Sequence, residues 1–285
     1  MGQLKEQMKR DLEIKGFSPR TQDAYLRHAV HYVKYFKKSP EELGQTEIKD
    51  YLYYLIAEKK VSSSYVNCAY SALKFLYETT LGREWDMNKI PRAKKEKKLP
   101  VVLSPYEVKS IFDVTVNLKH RAMLMTIYGA GLRVNEAASL KISDIDSSNM
   151  QIHVRQGKGK KDRYCMLSPA ILNILREYWK FYHPNGWLFS GSLPDRPVTS
   201  RTIERVFEIS KQKAEITKNA TVHTLRHSFA THLLESGVDV YHIQQLMGHS
   251  SVKTTSIYIH LQRKDLLNIK SPLDTLMGTE NDRGC

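Results

Sequence analysis

Three short motifs in the last third of the sequence carry side chains that can transfer a phosphoryl group. They read HTLRH at 223–227, LMGH at 246–249 and IYIH at 257–260. Tyrosine can act as a covalent nucleophile, arginine stabilises the charge that builds on a transferring phosphoryl group, and imidazoles move protons near neutral pH. If the three motifs converge in space, they form a set that can cut a phosphodiester without a metal ion.

An arginine preceded by two glycines forms a further candidate phosphate site upstream. The stretch GAGLRVNE ends at Glu136 and contains Arg133 at the predicted start of a helix. Glycines there allow the backbone and the guanidinium to approach a phosphate closely. Glu136 lies one turn beyond Arg133 and could orient it or a neighbour. The alternative interpretation is a surface Arg–Glu pair on a helix broken by glycine.

A glycine-rich basic turn, QGKGKKD, separates two predicted strands at 150–154 and 163–167. Lys158 within it is a flexible ammonium that could enter a DNA groove or protonate a leaving oxygen. Lys160 and Lys161 stand beside it and compete for the same role. A solvated turn is the alternative interpretation for an isolated lysine of this kind.

The charge balance of the chain predicts a polyanionic partner. Its 285 residues contain 44 Lys and Arg against 30 Asp and Glu, which gives a formal net charge of +14. Each phosphate that a basic side chain neutralises releases counterions, so such an excess favours binding to nucleic acid. A merely basic surface is the alternative explanation.

Other classes of protein are disfavoured by what the sequence lacks. No apolar run approaches the ~18–20 residues that span a bilayer, and the charged N-terminal stretch does not resemble a signal peptide. Cys68, Cys165 and Cys285 form no CxxC pair, which argues against a disulfide scaffold or a cysteine zinc site. There is also no HExxH motif for zinc. We therefore expect a protein of the reducing cytoplasm without a membrane association.

The first 90 residues show only helical patterns. Apolar side chains at helical spacing predict a bundle of about four helices: one near 4–14, one after Ser18 that reaches Phe36, one from Thr46 to at least Ile56, and one that follows 62–64 and includes Leu76. Residues 91–103 are basic and contain two prolines, which is typical of a linker. The same stretch could also lie as a basic strap along a DNA backbone.

The remaining residues, 104–285, predict a mostly helical domain with one small antiparallel sheet. Ser104-Pro105-Tyr106-Glu107 has the pattern of a capping box that opens the first helix. Further helices are predicted near 119–128, 134–140, 169–181, 200–213, 224–236, 240–247 and 251–260. Segments 224–236 and 240–247 also resemble a helix-turn-helix in outline.

Taken together, these motifs resemble the tyrosine recombinase (phage integrase) family over essentially the whole chain. GAGLRVNEAASL, QGKGKKDR, HTLRHSFATHLLESG and LMGHSSVKTTSIYIH stand in the order of that family. The resemblance is closest to the compact Xer and integron-type members. It implies a mainly α fold with a four-helix SAM-like core-binding domain at 1–90, a basic linker at 91–103 and a catalytic domain at 104–285. The C-terminal tail would dock on a neighbouring protomer.

The resemblance also implies a site-specific DNA recombinase that works through a covalent 3′-phosphotyrosyl intermediate. The bond energy stays in the phosphotyrosine, so neither ATP, nor a metal, nor another cofactor is expected. The implied catalytic residues are Arg133, Lys158, His223, Arg226, His249 and the nucleophile Tyr258.

Each of these residues receives a role from the resemblance. Arg133 and Arg226 would grip the scissile phosphate, and Tyr258 would attack it. Lys158 would protonate the leaving 5′-oxygen, and His223 would assist removal of the tyrosine proton. The sixth residue, His249, would donate a hydrogen bond to the phosphate.

The implied partner is a double-stranded DNA recombination site, on which four copies assemble across two sites from a monomer in solution. Two other functions remain open from the sequence: a non-catalytic helix-turn-helix regulator and a type IB topoisomerase. The subfamily is open as well, because the stretch 189–223 is short for the extra helix of integron integrases.

Overall fold

The computed structural model describes residues 2–86, 90–94, 100–155, 162–193 and 195–248. The chain divides into two compact units, Met1–Lys98 and Leu99–Cys285. Both units are mostly helical in their described parts, and the second contains one small antiparallel sheet. This confirms the predicted fold class. None of the described helices is long and apolar enough to cross a membrane.

The first unit is built from the four helices that the sequence predicts. They are α1 (Gly2–Ile14), α2 (Pro19–Phe36), α3 (Gln45–Ala57) and α4 (Ser63–Phe75). Helix α4 continues into a π-helical turn over Leu76–Thr80, which the apolar pattern alone does not reveal.

Tyrosine side chains form much of the core of this unit. Tyr32, Tyr51 and Tyr77 are buried and meet edge to face around Tyr32. The hydroxyls of Tyr32 and Tyr77 lie 3.1 Å apart, so these two buried phenols form a hydrogen bond with each other. Tyr53, by contrast, is exposed.

The helices of the second unit follow the predicted order with small changes at their ends. They are α5 (Pro105–Val114), α6 (Leu118–Gly129), α7 (Val134–Ala138), α8 (Pro169–Tyr182), α9 (Ser200–Lys213), α10 (Val222–Glu235) and α11 (Val240–Met247). The capping box is confirmed, because the Ser104 amide donates to Glu107 Oε2 at 2.7 Å and the Glu107 amide to Ser104 Oγ at 3.2 Å. The predicted helix at 251–260 lies outside the described residues.

Helix α7 is shorter than predicted. It ends at Ala138 rather than at residue 140. The amide of Ser139 donates to carbonyls at positions 135 and 136, which closes the last turn. Leu140 then leaves the helix, and its carbonyl accepts from the Leu188 amide at 2.8 Å.

In the described residues, the sheet contains three antiparallel strands, one more than predicted. Their order is β1 (Ile145–Asp146), β2 (Gln151–Val154) and β3 (Arg163–Met166). Strand β1 has only two residues, too few for an alternating pattern to show in the sequence. Residues 156–161, with Lys158, connect β2 to β3 and lie outside the described residues.

Candidate active site

The turn between α6 and α7 places Arg133, and it requires a glycine. Gly131 has φ +60°, and a Cβ on it would lie 2.5 Å from a ring carbon of Phe229. A Cβ on Gly129 would lie 2.7 Å from Ile171. Both glycines therefore have a packing reason in the folded chain. The turn leaves Arg133 as the residue that caps α7.

The Glu136 carboxylate lies beside Arg133 and Arg226, the two arginines that the sequence predicts to bind phosphate. Its Oε2 accepts from the Arg133 amide at 2.8 Å, and its Oε1 accepts from Arg133 Nη1 at 2.6 Å. Arg163 adds a bidentate pair, with Nη1 donating to Oε1 at 2.9 Å and Nη2 to Oε2 at 2.7 Å. The prediction that Glu136 orients Arg133 is confirmed. The alternative of a surface pair is wrong, because the Glu136 side chain is only 8% exposed.

Arg226 lies at the same place and is almost fully buried, with 2% of its side chain exposed. Its Nη1 donates to the Gly131 carbonyl and its Nη2 to the Met247 carbonyl. The nearest contact to Glu136 joins Arg226 Nη1 and Glu136 Oε2 at 3.9 Å. Arg133, Glu136, Arg163 and Arg226 are called the arginine–glutamate cluster below.

The C-terminal end of α11 anchors all three arginines of the cluster through consecutive carbonyls. The Leu246 carbonyl accepts from Arg163 Nε at 3.3 Å, and the Met247 carbonyl accepts from Arg226. The Gly248 carbonyl accepts from Arg133 Nη2 at 3.2 Å. The last carbonyls of a helix lack partners within it and carry its partial negative charge, so they are suited to arginines.

The cluster holds three positive groups and a single carboxylate. Burial by itself would raise the pKa of Glu136, but the hydrogen bonds and charge of Arg163 and the bonds from Arg133 lower it to about 2. The carboxylate is therefore ionised at neutral pH and offsets one of the three guanidinium charges. The remaining positive charge suits a phosphate diester, which arginine binds through directed N–H groups.

His223 lies beside this cluster at the start of α10, three residues before Arg226. The partial loss of hydration, followed by the charges of Arg226 and Arg133, lowers the pKa of His223. Its ring meets that of His227 edge to face, with centroids 5.0 Å apart. Burial first, then His223 and Arg226, lower the pKa of His227 to about 4. Both imidazoles are therefore neutral at pH 7.

The structure thus brings together Arg133, His223 and Arg226 of the six predicted site residues. Lys158, His249 and Tyr258 lie outside the described residues. No group of three His, Cys, Asp or Glu side chains in the described ranges is arranged to bind a metal ion.

Arg163 was not singled out from the sequence. A signal was present, since Arg163 and Cys165 alternate on the buried face of β3. A charged residue on such a face needs an ionised partner. The sequence pattern did not identify Glu136 as that partner.

Both units match known protein families. Residues 101–265 match the phage integrase family, and residues 4–87 match the N-terminal SAM-like domain of phage integrases. The chain belongs to the phage integrase family of tyrosine recombinases. It is a site-specific recombinase, and the resemblance seen in the sequence motifs is confirmed.

Individual relatives of this tyrosine recombinase cover most of its length. The protein y4qK of Sinorhizobium fredii, an integrase/recombinase by name, is 42% identical over 97% of this chain and 90% of its own. Tyrosine recombinase XerA of Pyrococcus horikoshii is 36% identical over 82% of this chain and 83% of its own. The pre-cleavage complex of XerH with its difH substrate has the same fold, with a TM-score of 0.71 at 24% identity, covering 91% of this chain and 80% of that one.

The geometry of the recombinase also bears on the helix-turn-helix alternative. Helices α10 and α11 do pack together, through Phe229, Ala230, Ile243 and Met247. Arg226, however, points from α10 into the buried cluster instead of outward to a DNA groove. The two helices therefore position the arginine–glutamate cluster, α10 by carrying Arg226 and α11 by the carbonyls at its end.

Proposed function

We propose that this recombinase cuts and rejoins DNA strands through Tyr258, with Arg133 and Arg226 holding the scissile phosphate. The observation that supports this proposal is the surplus of positive charge around Glu136. Arg133 and Arg226 are fixed there by a carboxylate and by backbone carbonyls. Preorganised donors of this kind stabilise the charge of a phosphoryl transition state at little cost of reorganisation.

In the proposed cleavage step, the Tyr258 oxygen attacks phosphorus and the bond from phosphorus to the 5′-oxygen breaks. The DNA strand is left joined to Tyr258 through its 3′-phosphate, and the other end carries a free 5′-hydroxyl. Lys158 gives its proton to that leaving oxygen. Attack by the 5′-hydroxyl of a partner strand reverses these events and rejoins the DNA.

His223 takes the proton of Tyr258 in this scheme. A free tyrosine has a pKa of about 10, so attack near pH 7 needs an acceptor for its proton and nearby positive charge. The lowered pKa of His223 keeps its imidazole neutral and ready to accept. His249 follows directly after Gly248, whose carbonyl accepts from Arg133, and it donates a hydrogen bond to the phosphate.

The proposal extends to the division of labour along the chain. Residues 1–90 bind DNA, residues 91–103 form a basic linker, and residues 104–285 carry catalysis and a docking tail. The net charge of +14 supports contacts with a DNA backbone. The recombinase is a monomer in solution and forms a tetramer on two DNA sites, and it acts in the cytoplasm.

The test uses a nicked duplex that cannot be rejoined, because the short strand beyond the cut diffuses away. This DNA is called the site duplex below. Its sequence is identified as the one that the wild-type protein captures covalently from a library of nicked duplexes. Wild-type protein should form an adduct that survives denaturation, and Tyr258→Phe should form none. Tyr241→Phe is the matched control, since Tyr241 is exposed on α11 and outside the cluster. An adduct with Tyr258→Phe would contradict the proposal.

A further inference from the structure

Arg163 has no assigned role in phosphoryl transfer, yet it forms a bidentate pair with the carboxylate at the centre of the site. We propose that Arg163 is a positioning residue, which occupies Glu136 and the end of α11 so that Arg133 and Arg226 remain directed at the DNA phosphate. This inference rests on the function proposed above. It adds a residue that acts through its neighbours and does not touch the DNA.

The two Glu136 oxygens are shared between Arg163 and Arg133. Among the described residues, Glu136 accepts four hydrogen bonds, and two of them come from Arg163, one on each oxygen. Without these two, the described residues would leave the buried carboxylate with the two bonds from Arg133. The next described cation is Arg226, whose Nη1 lies 3.9 Å from Glu136 Oε2. A buried charge that loses a partner favours the nearest replacement, so Arg226 would be drawn toward Glu136 and away from the phosphate.

Arg163 also packs against the end of α11. Gly248 has φ +60°, and a Cβ there would lie 2.6 Å from Arg163 Cδ and 2.9 Å from Nε. The Leu246 carbonyl accepts from the same Nε. Arg163 therefore fixes the helix end whose next two carbonyls hold Arg226 and Arg133.

The shape of the guanidinium group of Arg163 suits both contacts. Arg163 meets Glu136 with two parallel N–H groups while its Nε points to a carbonyl on α11. A lysine keeps the charge, but its single ammonium cannot present this fixed fork. Arg163→Lys should therefore restore only part of the function, whereas Arg163→Met keeps the length of the side chain and removes the charge.

The experiment measures adduct formation by the full-length protein under saturating DNA, for wild type, Arg163→Met and Arg163→Lys. Each is tested on the site duplex with a native phosphate and on one in which a methyl group replaces a non-bridging oxygen of the scissile phosphate. Arg163→Met should slow adduct formation about 100-fold on the native phosphate, because a small displacement of catalytic groups has effects of this size. Its affinity for the site duplex should change less than about threefold, because binding is spread over many basic groups.

The methyl-substituted duplex separates a positioning role from a general loss of folding. It lacks the negative charge that Arg133 and Arg226 neutralise, so the deficit of Arg163→Met should shrink to less than about tenfold there. Arg155→Met is the matched control. Arg155 Nε donates to the buried Asp144 at 2.6 Å, an ion pair outside the cluster. The ratio of the adduct-formation rates of Arg155→Met on the two duplexes should equal the ratio for wild type.

Three outcomes would overturn the inference. Arg163→Met could form the adduct at the wild-type rate, or its deficit could be equal on both duplexes. The deficit could also vanish only on a duplex in which sulfur replaces the leaving 5′-oxygen. Because a sulfur leaving group needs no protonation, that result would assign Arg163 to the leaving-group step. Failure of the proposed function is a distinct result, in which wild-type protein forms no adduct that depends on Tyr258.

Discussion

Arg133 and Glu136 are joined twice within one turn of α7, from the arginine amide to Oε2 at 2.8 Å and from Nη1 to Oε1 at 2.6 Å. The same carboxylate therefore caps the helix and orients the guanidinium. Local helix formation and the geometry of the phosphate site depend on one side chain.

Replacing this carboxylate should destabilise the second unit. Glu136→Gln removes the ionised partner of Arg163 in a buried place, and we expect a loss of about 3 kcal/mol in the free energy of unfolding. Urea denaturation measures it. Glu204→Gln is the control, because it removes a surface pair with Arg201, whose side chain is 90% exposed, and should cost under about 1 kcal/mol. Equal losses for the two variants would contradict the central position of Glu136.

The same carboxylate predicts how stability depends on pH. The pKa of Glu136 is about 2 in the folded chain and near 4.5 when it is freely hydrated. A lowered carboxyl pKa adds stability that is complete above the unfolded value and is lost as pH falls through the folded value. Stability should therefore fall between about pH 4.5 and 2, and Glu136→Gln should reduce the slope in this window. An unchanged slope in the variant would be inconsistent with the ion pairs.

The chemistry at His223 predicts a pH profile for cleavage. Because the pKa of His223 is lowered from 6.5, its imidazole remains a proton acceptor at pH 6.5 and somewhat below. The acid limb of single-turnover cleavage should lie below pH 6.5, and His223→Ala should remove it together with most of the rate. The control is His242→Ala, because His242 is exposed on α11 and should not alter the limb. A wild-type limb above pH 6.5 would exclude His223 as the base.

Arg226→Ala should separate catalysis from binding. We expect a loss of at least about 1000-fold in cleavage at saturating DNA, because a preorganised donor to the phosphate is removed. The affinity for DNA should fall by less than about tenfold, since the other basic groups remain. Gel-shift and adduct assays on the same site duplex measure both quantities. Arg201→Ala, on the exposed face of α9, should leave the cleavage rate unchanged, and a parallel loss of binding and cleavage in Arg226→Ala would refute the assignment.

The turn before Arg133 offers a test of packing against backbone strain. Gly131→Ala combines an unfavourable φ of +60° with a Cβ that would lie 2.5 Å from the ring of Phe229. Gly186→Ala has a φ of +76°, but its Cβ would meet no atom within 4 Å apart from its chain neighbours. Gly186→Ala should cost about 1 kcal/mol from backbone strain alone. Gly131→Ala should cost about 3 kcal/mol, because the ring of Phe229 must also move. Equal costs would show that the close approach is unimportant.

Much of the fold could be predicted because its local signals agree. Serine caps, such as Ser18 before α2 and Ser104 before α5, coincide with apolar periodicity. The predicted starts of these two helices are therefore confirmed. The two-residue strand β1 and the π-helical turn at Leu76–Thr80 leave no periodic trace, because each is too short or too close to an α-helical pattern.

The candidate site was predictable in its residue types but not in its connections. Arg133 and Arg226 are separated by more than ninety residues, yet each belongs to a recognisable motif. The sharing of Glu136 between Arg133 and Arg163 depends on β3 packing against the end of α11. That contact is long-range, and no local propensity encodes it.

Locating the adduct tests most directly whether Tyr258 becomes covalently joined to DNA. Wild-type protein trapped on the site duplex can be digested with protease and nuclease, and the modified peptide sequenced by mass spectrometry. We predict one nucleotide attached through its 3′-phosphate to Tyr258 in the segment TTSIYIH. A nucleotide on any other side chain, or attachment through a 5′-phosphate, would contradict the claim.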